Sequence, residues 1–169
     1  LLGGFKKAKL KARLIDQVDG LSVVAGDGVK LTRVLSNVTA ENLNPFLLLD
    51  SFDSKNYSDY LKGFPMHGHR GIETISYSQK GGIIHEDSLG NQRRISDGQV
   101  QWICTGSGVF HSETFQKEKH LQGVQLWLNL PSAYKMVEPT YIERTGEVLE
   151  EGFWTRRIFS SKKNSTDIY

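Results

Sequence analysis

Residues 124–130, VQLWLNL, carry two chemistries in strict alternation: Val124, Leu126, Leu128 and Leu130 at one parity, Gln125, Trp127 and Asn129 at the other, with Pro131 next. Successive side chains of a strand point to opposite faces, so a period of two reads as a strand with one buried face. Proline cannot donate to a ladder and ends it. The same pattern recurs along the chain. LSVV (21–24), VKLTRVL (29–35), PFLLLD (45–50), ETISY (73–77), GGIIHED (81–87) and QVQWI (99–103) are short apolar or alternating runs. Between the runs lie Gly26-Asp27-Gly28, Leu89-Gly90-Asn91, Asp97-Gly98 and Gly106-Ser107-Gly108. Strands of about 5 residues with turn signals roughly every 8–12 residues predict an all-β fold, antiparallel strands in two facing sheets. Helix is expected only near the N-terminus and around residues 132–137, and neither stretch carries a 3.6-residue apolar stripe.

A chain of 169 residues with 38% hydrophobic composition is enough for one domain with a core. Its 21 cations and 19 anions leave a net charge of +2, not the basic field that draws nucleic acid, so no direct nucleic-acid partner is expected. The single cysteine, Cys104, excludes an internal disulfide and a multi-thiolate zinc site, and is expected to be a buried, inert thiol. Without a run of 18 apolar residues or a signal-like N-terminus, the chain is expected to be soluble and cytoplasmic, or nuclear in a eukaryote, with no membrane partner. The basic segment KKAKLKAR (6–13) reads as a solvated terminus. Beyond Tyr141 the chain turns charged, and residues 142–169 read as a tail.

Against this background two short motifs stand out. FPMHGHRGIE (64–73) places His67 and His69 two apart, and FHSE (110–113) does the same with His111 and Glu113. On a strand, residues i and i+2 share a face. Two such pairs facing into one sandwich bring three imidazoles and one carboxylate to a common point, a ligand set for a divalent transition metal such as iron with positions left open. Either motif alone is compatible with ordinary polar positions on surface strands; the two together predict a metal site. Glu73 has the parity of His69 but lies ~13 Å further along an extended strand. It reaches a shared metal only if Gly71 kinks the chain, so Glu113 is the preferred carboxylate and Glu73 an alternative or an outer partner.

The stretches NPFLLLDSF (44–52), HGHRGIETISY (67–77), GGIIHEDSLG (81–90), ISDGQVQWICTGSGVFHSE (95–113), GVQLWLNLP (123–131) and KMVEP (135–139) closely resemble, in order, the pirin family of the cupin superfamily. The resemblance implies a double-stranded β-helix, the cupin jelly roll, over residues 28–141, preceded by a segment 1–27. It implies one non-haem metal, Fe(II) or another divalent transition metal, at His67, His69, His111 and Glu113. Pirin-like proteins carry two barrels; residues 142–169 are too few for the second, which is expected to be largely absent. Members resemble quercetin 2,3-dioxygenases, so the resemblance implies a flavonol or similar small aromatic substrate, with Glu113 as both ligand and catalytic proton acceptor. It equally implies a non-enzymatic alternative, an iron-binding cofactor of transcription factors with a protein partner.

The remaining conspicuous residues have plainer expectations. His85 is expected to be a hydrogen-bonded structural residue and His120 to sit in solvent. Trp102, Trp127, Phe46 and Tyr77 are expected in the core or lining a pocket. Arg70, at the parity opposite His67 and His69, is expected to orient a loop or a carboxylate. Gly106-x-Gly108 is no dinucleotide loop, because His111 stands where the third glycine belongs.

Overall fold

The computed structural model describes residues 19–145, with Glu147–Val148 and Arg156–Arg157, which pair as a short antiparallel ribbon. The expected basic N-terminal segment and helix lie outside the described residues, as does most of the tail. Gly26-Asp27-Gly28 folds the chain back, Gly28 N–H donating to the Ala25 carbonyl at 3.1 Å, so that strand β1 (Leu21–Ala25) pairs with β2 (Val29–Leu35). The ladder thus begins ahead of residue 28. There follow β3 (Phe46–Ser54), β4 (Phe64–His69), β5 (Ile72–Lys80), β6 (Ile83–Asp87), β7 (Gln92–Ile95), β8 (Gln99–Cys104), β9 (Val109–Phe115), β10 (Leu121–Asn129) and β11 (Thr140–Thr145). They form a seven-stranded sheet in the order β1-β2-β3-β10-β5-β8-β11 and a four-stranded sheet in the order β4-β9-β6-β7. Every pairing is antiparallel.

One helix departs from expectation. α1 (Asn37–Leu43) lies between β2 and β3, too short to show an apolar period. A capping box starts it: the Ser36 side chain accepts from the Val38 N–H, and the Thr39 hydroxyl accepts from the Ser36 N–H at 2.9 Å. The 132–137 stretch yields only a 3-10 turn over Ser132–Tyr134.

The sheets face each other across an interior with two ends. At one end Phe52, Tyr60, Ile83, Phe115 and Leu121 form an apolar cluster, the Phe52 and Phe115 rings meeting between the sheets at 5.9 Å. Burying each large apolar side chain here contributes about 1.5–3 kcal/mol. The other end is polar. On β10 the expected alternation is present with its sense set by that interior: Gln125 lies opposite Ser76 and Asp50, all three buried. Val124, Leu126 and Leu128 therefore point away from the interior and are half-buried.

Candidate metal centre

Strand β9 builds the site by parity. Val109, His111, Glu113 and Phe115 are buried while Phe110 and Thr114 are exposed, so the row from His111 to Phe115 runs from the polar end into the apolar cluster. The neighbouring strands complete the layer. On β4, His67 pairs with His111 and His69 with Val109; on β6, His85 pairs with Glu113 and Asp87 with His111. The His67 and His111 rings are 4.5 Å apart, His67 and His69 4.8 Å, His69 and His111 5.0 Å. One ligand atom from each of His67, His69 and His111 lies within 4.8 Å of the others, and the same holds for His85, His111 and Glu113. The two expected pairs thus meet at His111, with Glu113 grouped on the inner side.

Electrostatics prepare these imidazoles as ligands. Burial, reinforced by His67 and His85, lowers His111 to about 3, and burial with His111 and His67 lowers His69 to about 4. Both are neutral near pH 7, the form that binds metal. His67 Nδ1 lies 2.7 Å from the Pro65 carbonyl oxygen; that contact needs a proton on Nδ1 and leaves the Nε2 lone pair available. Among the described residues neither ring nitrogen of His111 has a hydrogen-bond partner, although the side chain is buried. Buried polar atoms left so are costly. Three imidazoles, one of them buried with both nitrogens unpartnered, and a carboxylate beside it fit a divalent transition metal.

Two residues that the motifs did not single out hold the carboxylate. Gln101 Nε2 donates to Glu113 Oε1, and Gln125 Nε2 donates to Oε2 at 2.9 Å. The same two amides reach the Ser76 hydroxyl at 3.4 and 3.1 Å. Gln125 Oε1 accepts from Trp127 Nε1 at 3.1 Å, and the Trp127 ring lies 4.9 Å from that of His69. Gln101 Oε1 accepts from the Tyr141 hydroxyl at 3.4 Å. The available signal was parity: both glutamines alternate with apolar residues within strands.

Residues 28–128 match the family model described as Pirin. The chain belongs to the pirin family. A pirin-like protein of Caulobacter vibrioides is 44% identical over 127 residues, covering 75% of this chain and 46% of that protein. Human pirin is 38% identical over 147 residues, covering 86% of this chain and 47% of its own. The chain therefore spans slightly less than half the length of these curated relatives. A crystal structure of a quercetin 2,3-dioxygenase from Acinetobacter baumannii superposes with a TM-score of 0.68 at 32% identity, over 79% of this chain and 51% of that one. The all-β, two-sheet architecture is accordingly the pirin cupin jelly roll.

Other expected residues of this pirin-family chain fall differently. Between His69 and Glu73 the chain leaves the four-stranded sheet and enters the seven-stranded one, so parity does not carry across. Gly71 makes the corner at φ +68°, its N–H donating to the Gly106 carbonyl at 2.8 Å. Thr74 and Ser76 then face the interior, and Glu73 lies on the opposite face beside Cys104 and Leu128, its carboxyl pushed up by burial. Arg70 orients a loop as expected, Nε donating to the Ser107 carbonyl at 2.9 Å. Cys104 is half-buried, its thiol pushed up by burial and by Glu73. Phe46, expected inside, is exposed. His120, expected in solvent, is half-buried and pairs through Nε2 with Asp53 at 2.5 Å. Tyr77 is buried, Trp102 and Trp127 half-buried. His85 is fully buried, with Nε2 2.9 Å from Asp87 Oδ2. A surface cleft of about 310 Å³ opens elsewhere, lined by Ser22, Lys30, Thr32, Ser51 and Asp59 but by none of the histidines. Among the described residues no helix is long and apolar enough to cross a membrane.

Proposed function

We propose that this chain is a metal-bearing pirin cupin domain of the quercetin 2,3-dioxygenase type, with Fe(II) held by His67, His69, His111 and Glu113. The observation that carries the reading is His111, buried with both nitrogens unpartnered among the described residues, within ligand range of His67 and His69 on one side and Glu113 on the other. The donor set also suits manganese, cobalt, nickel, copper or zinc; family membership favours iron. Bound there, the metal supplies Lewis acidity and redox chemistry toward dioxygen.

The chain's own groups then have distinct tasks. His67, His69 and His111 present ring nitrogens from two adjacent strands. Glu113, the proposed catalytic residue, accepts the hydroxyl proton of a bound flavonol, its carboxylate steered by the Gln101 and Gln125 amides. Trp127, half-buried against His69, offers an aromatic edge to a flat substrate. The Acinetobacter relative's description as a quercetin 2,3-dioxygenase supports the substrate class.

The test is oxygen uptake by the Fe(II)-reconstituted protein with quercetin, beside His111→Ala. Uptake with ring-cleaved product in the parent and none in the variant supports the enzyme. Tight iron binding with no oxygen consumed overturns it and leaves a metal-responsive binding module with a protein partner.

A further inference from the structure

We propose that the barrel offers a divalent transition-metal cation a second, inner position formed by His85, His111 and Glu113, alternative to the outer position that His67, His69 and His111 form with Glu113. The inner trio is drier than the outer one. His85 is 0% exposed, His111 2% and Glu113 3%, whereas His67 and His69 are half-buried. One ligand atom from each of the three lies within 4.8 Å of the others.

The state of His85 points the same way. Its Nε2 lies 2.9 Å from Asp87 Oδ2, and both side chains are wholly buried. Asp87 also accepts from the Leu89 and Asn91 N–H groups and from Asn91 Nδ2, so its carboxylate acts as acceptor and the His85 proton sits on Nε2. That leaves Nδ1 as the lone-pair nitrogen, and among the described residues Nδ1 has no partner. A buried carboxylate fixing the tautomer of an imidazole whose other nitrogen is unsatisfied is the arrangement that orients metal ligands. Tyr141 stacks on the ring at 4.9 Å and 25°, holding its plane. Nδ1 thus lacks the partner that most buried polar atoms have.

Neutral His111 has one lone pair, so a cation in one position excludes a cation in the other. The chain then binds a single ion that divides between two positions. The proposal rests on these three ligands and not on the dioxygenase reading.

Cobalt(II) is the probe, because its visible absorption and its hyperfine-shifted proton resonances report ligands directly. The double variant His67→Ala/His69→Ala removes the outer position. It is expected to bind one Co(II) per chain, about 10–100-fold more weakly than the parent, and adding His85→Gln is expected to abolish that binding. Far-UV circular dichroism confirms that each variant folds. Should His85→Gln not fold, the Co(II)-loaded double variant itself decides: the exchangeable ring protons of both His85 and His111 should be hyperfine-shifted. No Co(II) bound by a folded double variant, binding unchanged by His85→Gln, or an unshifted His85 resonance overturns the inner position. A parent that binds no Co(II) sinks the outer site as well, so the two failures are distinguishable.

Discussion

Acidifying the metal-free protein from pH 7 to pH 5 is expected to destabilise it chiefly through His111 and His69. Burial holds them at about 3 and about 4 in the fold, against 6.5 for an ordinary histidine. Between those values and 6.5 the unfolded chain binds protons that the folded chain refuses, so stability falls as pH falls through that window. The loss begins near 6.5; it levels off for His69 below about 4 and for His111 below about 3. Each group contributes up to about 1.4 kcal/mol per pH unit, hence about 2 kcal/mol each and about 4 kcal/mol together between pH 7 and pH 5. For a domain whose whole stability is about 5–15 kcal/mol, that is a large share. Urea titrations of chelator-treated protein at pH 7, 6 and 5 measure it, with His111→Asn alongside. The variant's stability should depend on pH less steeply by about 1 kcal/mol per unit. A parent whose stability is flat from pH 7 to pH 5, or a variant with the parent's slope, would show that His69 and His111 are not held below their ordinary range by burial.

Three substitutions extend the account. Gln125→Leu deletes the donor to Glu113 Oε2 and the acceptor for Trp127; it should cost about 2–3 kcal/mol in urea titrations and weaken Co(II) binding about tenfold by calorimetry. Glu73→Gln, on the face away from the histidines, should leave Co(II) affinity within about twofold of the parent, and a tenfold loss would return Glu73 to the site. Gly106→Ala places a Cβ against the Val137 carbonyl oxygen at a residue with φ +43°; the loss, about 2 kcal/mol or more, should show in urea titrations.

Alternation along VQLWLNL, QVQWI and their neighbours made the antiparallel sheets legible, and the i, i+2 spacing in HGH and HSE made the histidine layer legible, because both depend only on strand geometry. What alternation leaves open is which face looks inward. Here the interior near the site is polar, so Gln125 points in and Leu126 points out, against the usual sense of an apolar interior. The Glu73 alternative turned on a similar gap: parity is local to one strand, and Gly71 moves the chain to the other sheet. His120 and Asp53, 67 residues apart, meet only through the pairing of β3 with β10, which no local pattern encodes. The capping box at Ser36 uses Thr39 where a glutamate or glutamine is the usual signal, which is why α1 had no clear signature.

Anaerobic calorimetric titration with Fe(II), parent against His111→Ala, tests most directly whether one metal centre is organised around His111, which belongs to both ligand groups among the described residues. One iron per chain is expected in the parent and no detectable binding in the folded variant; iron bound by His111→Ala with the parent's affinity would contradict a centre built on His111.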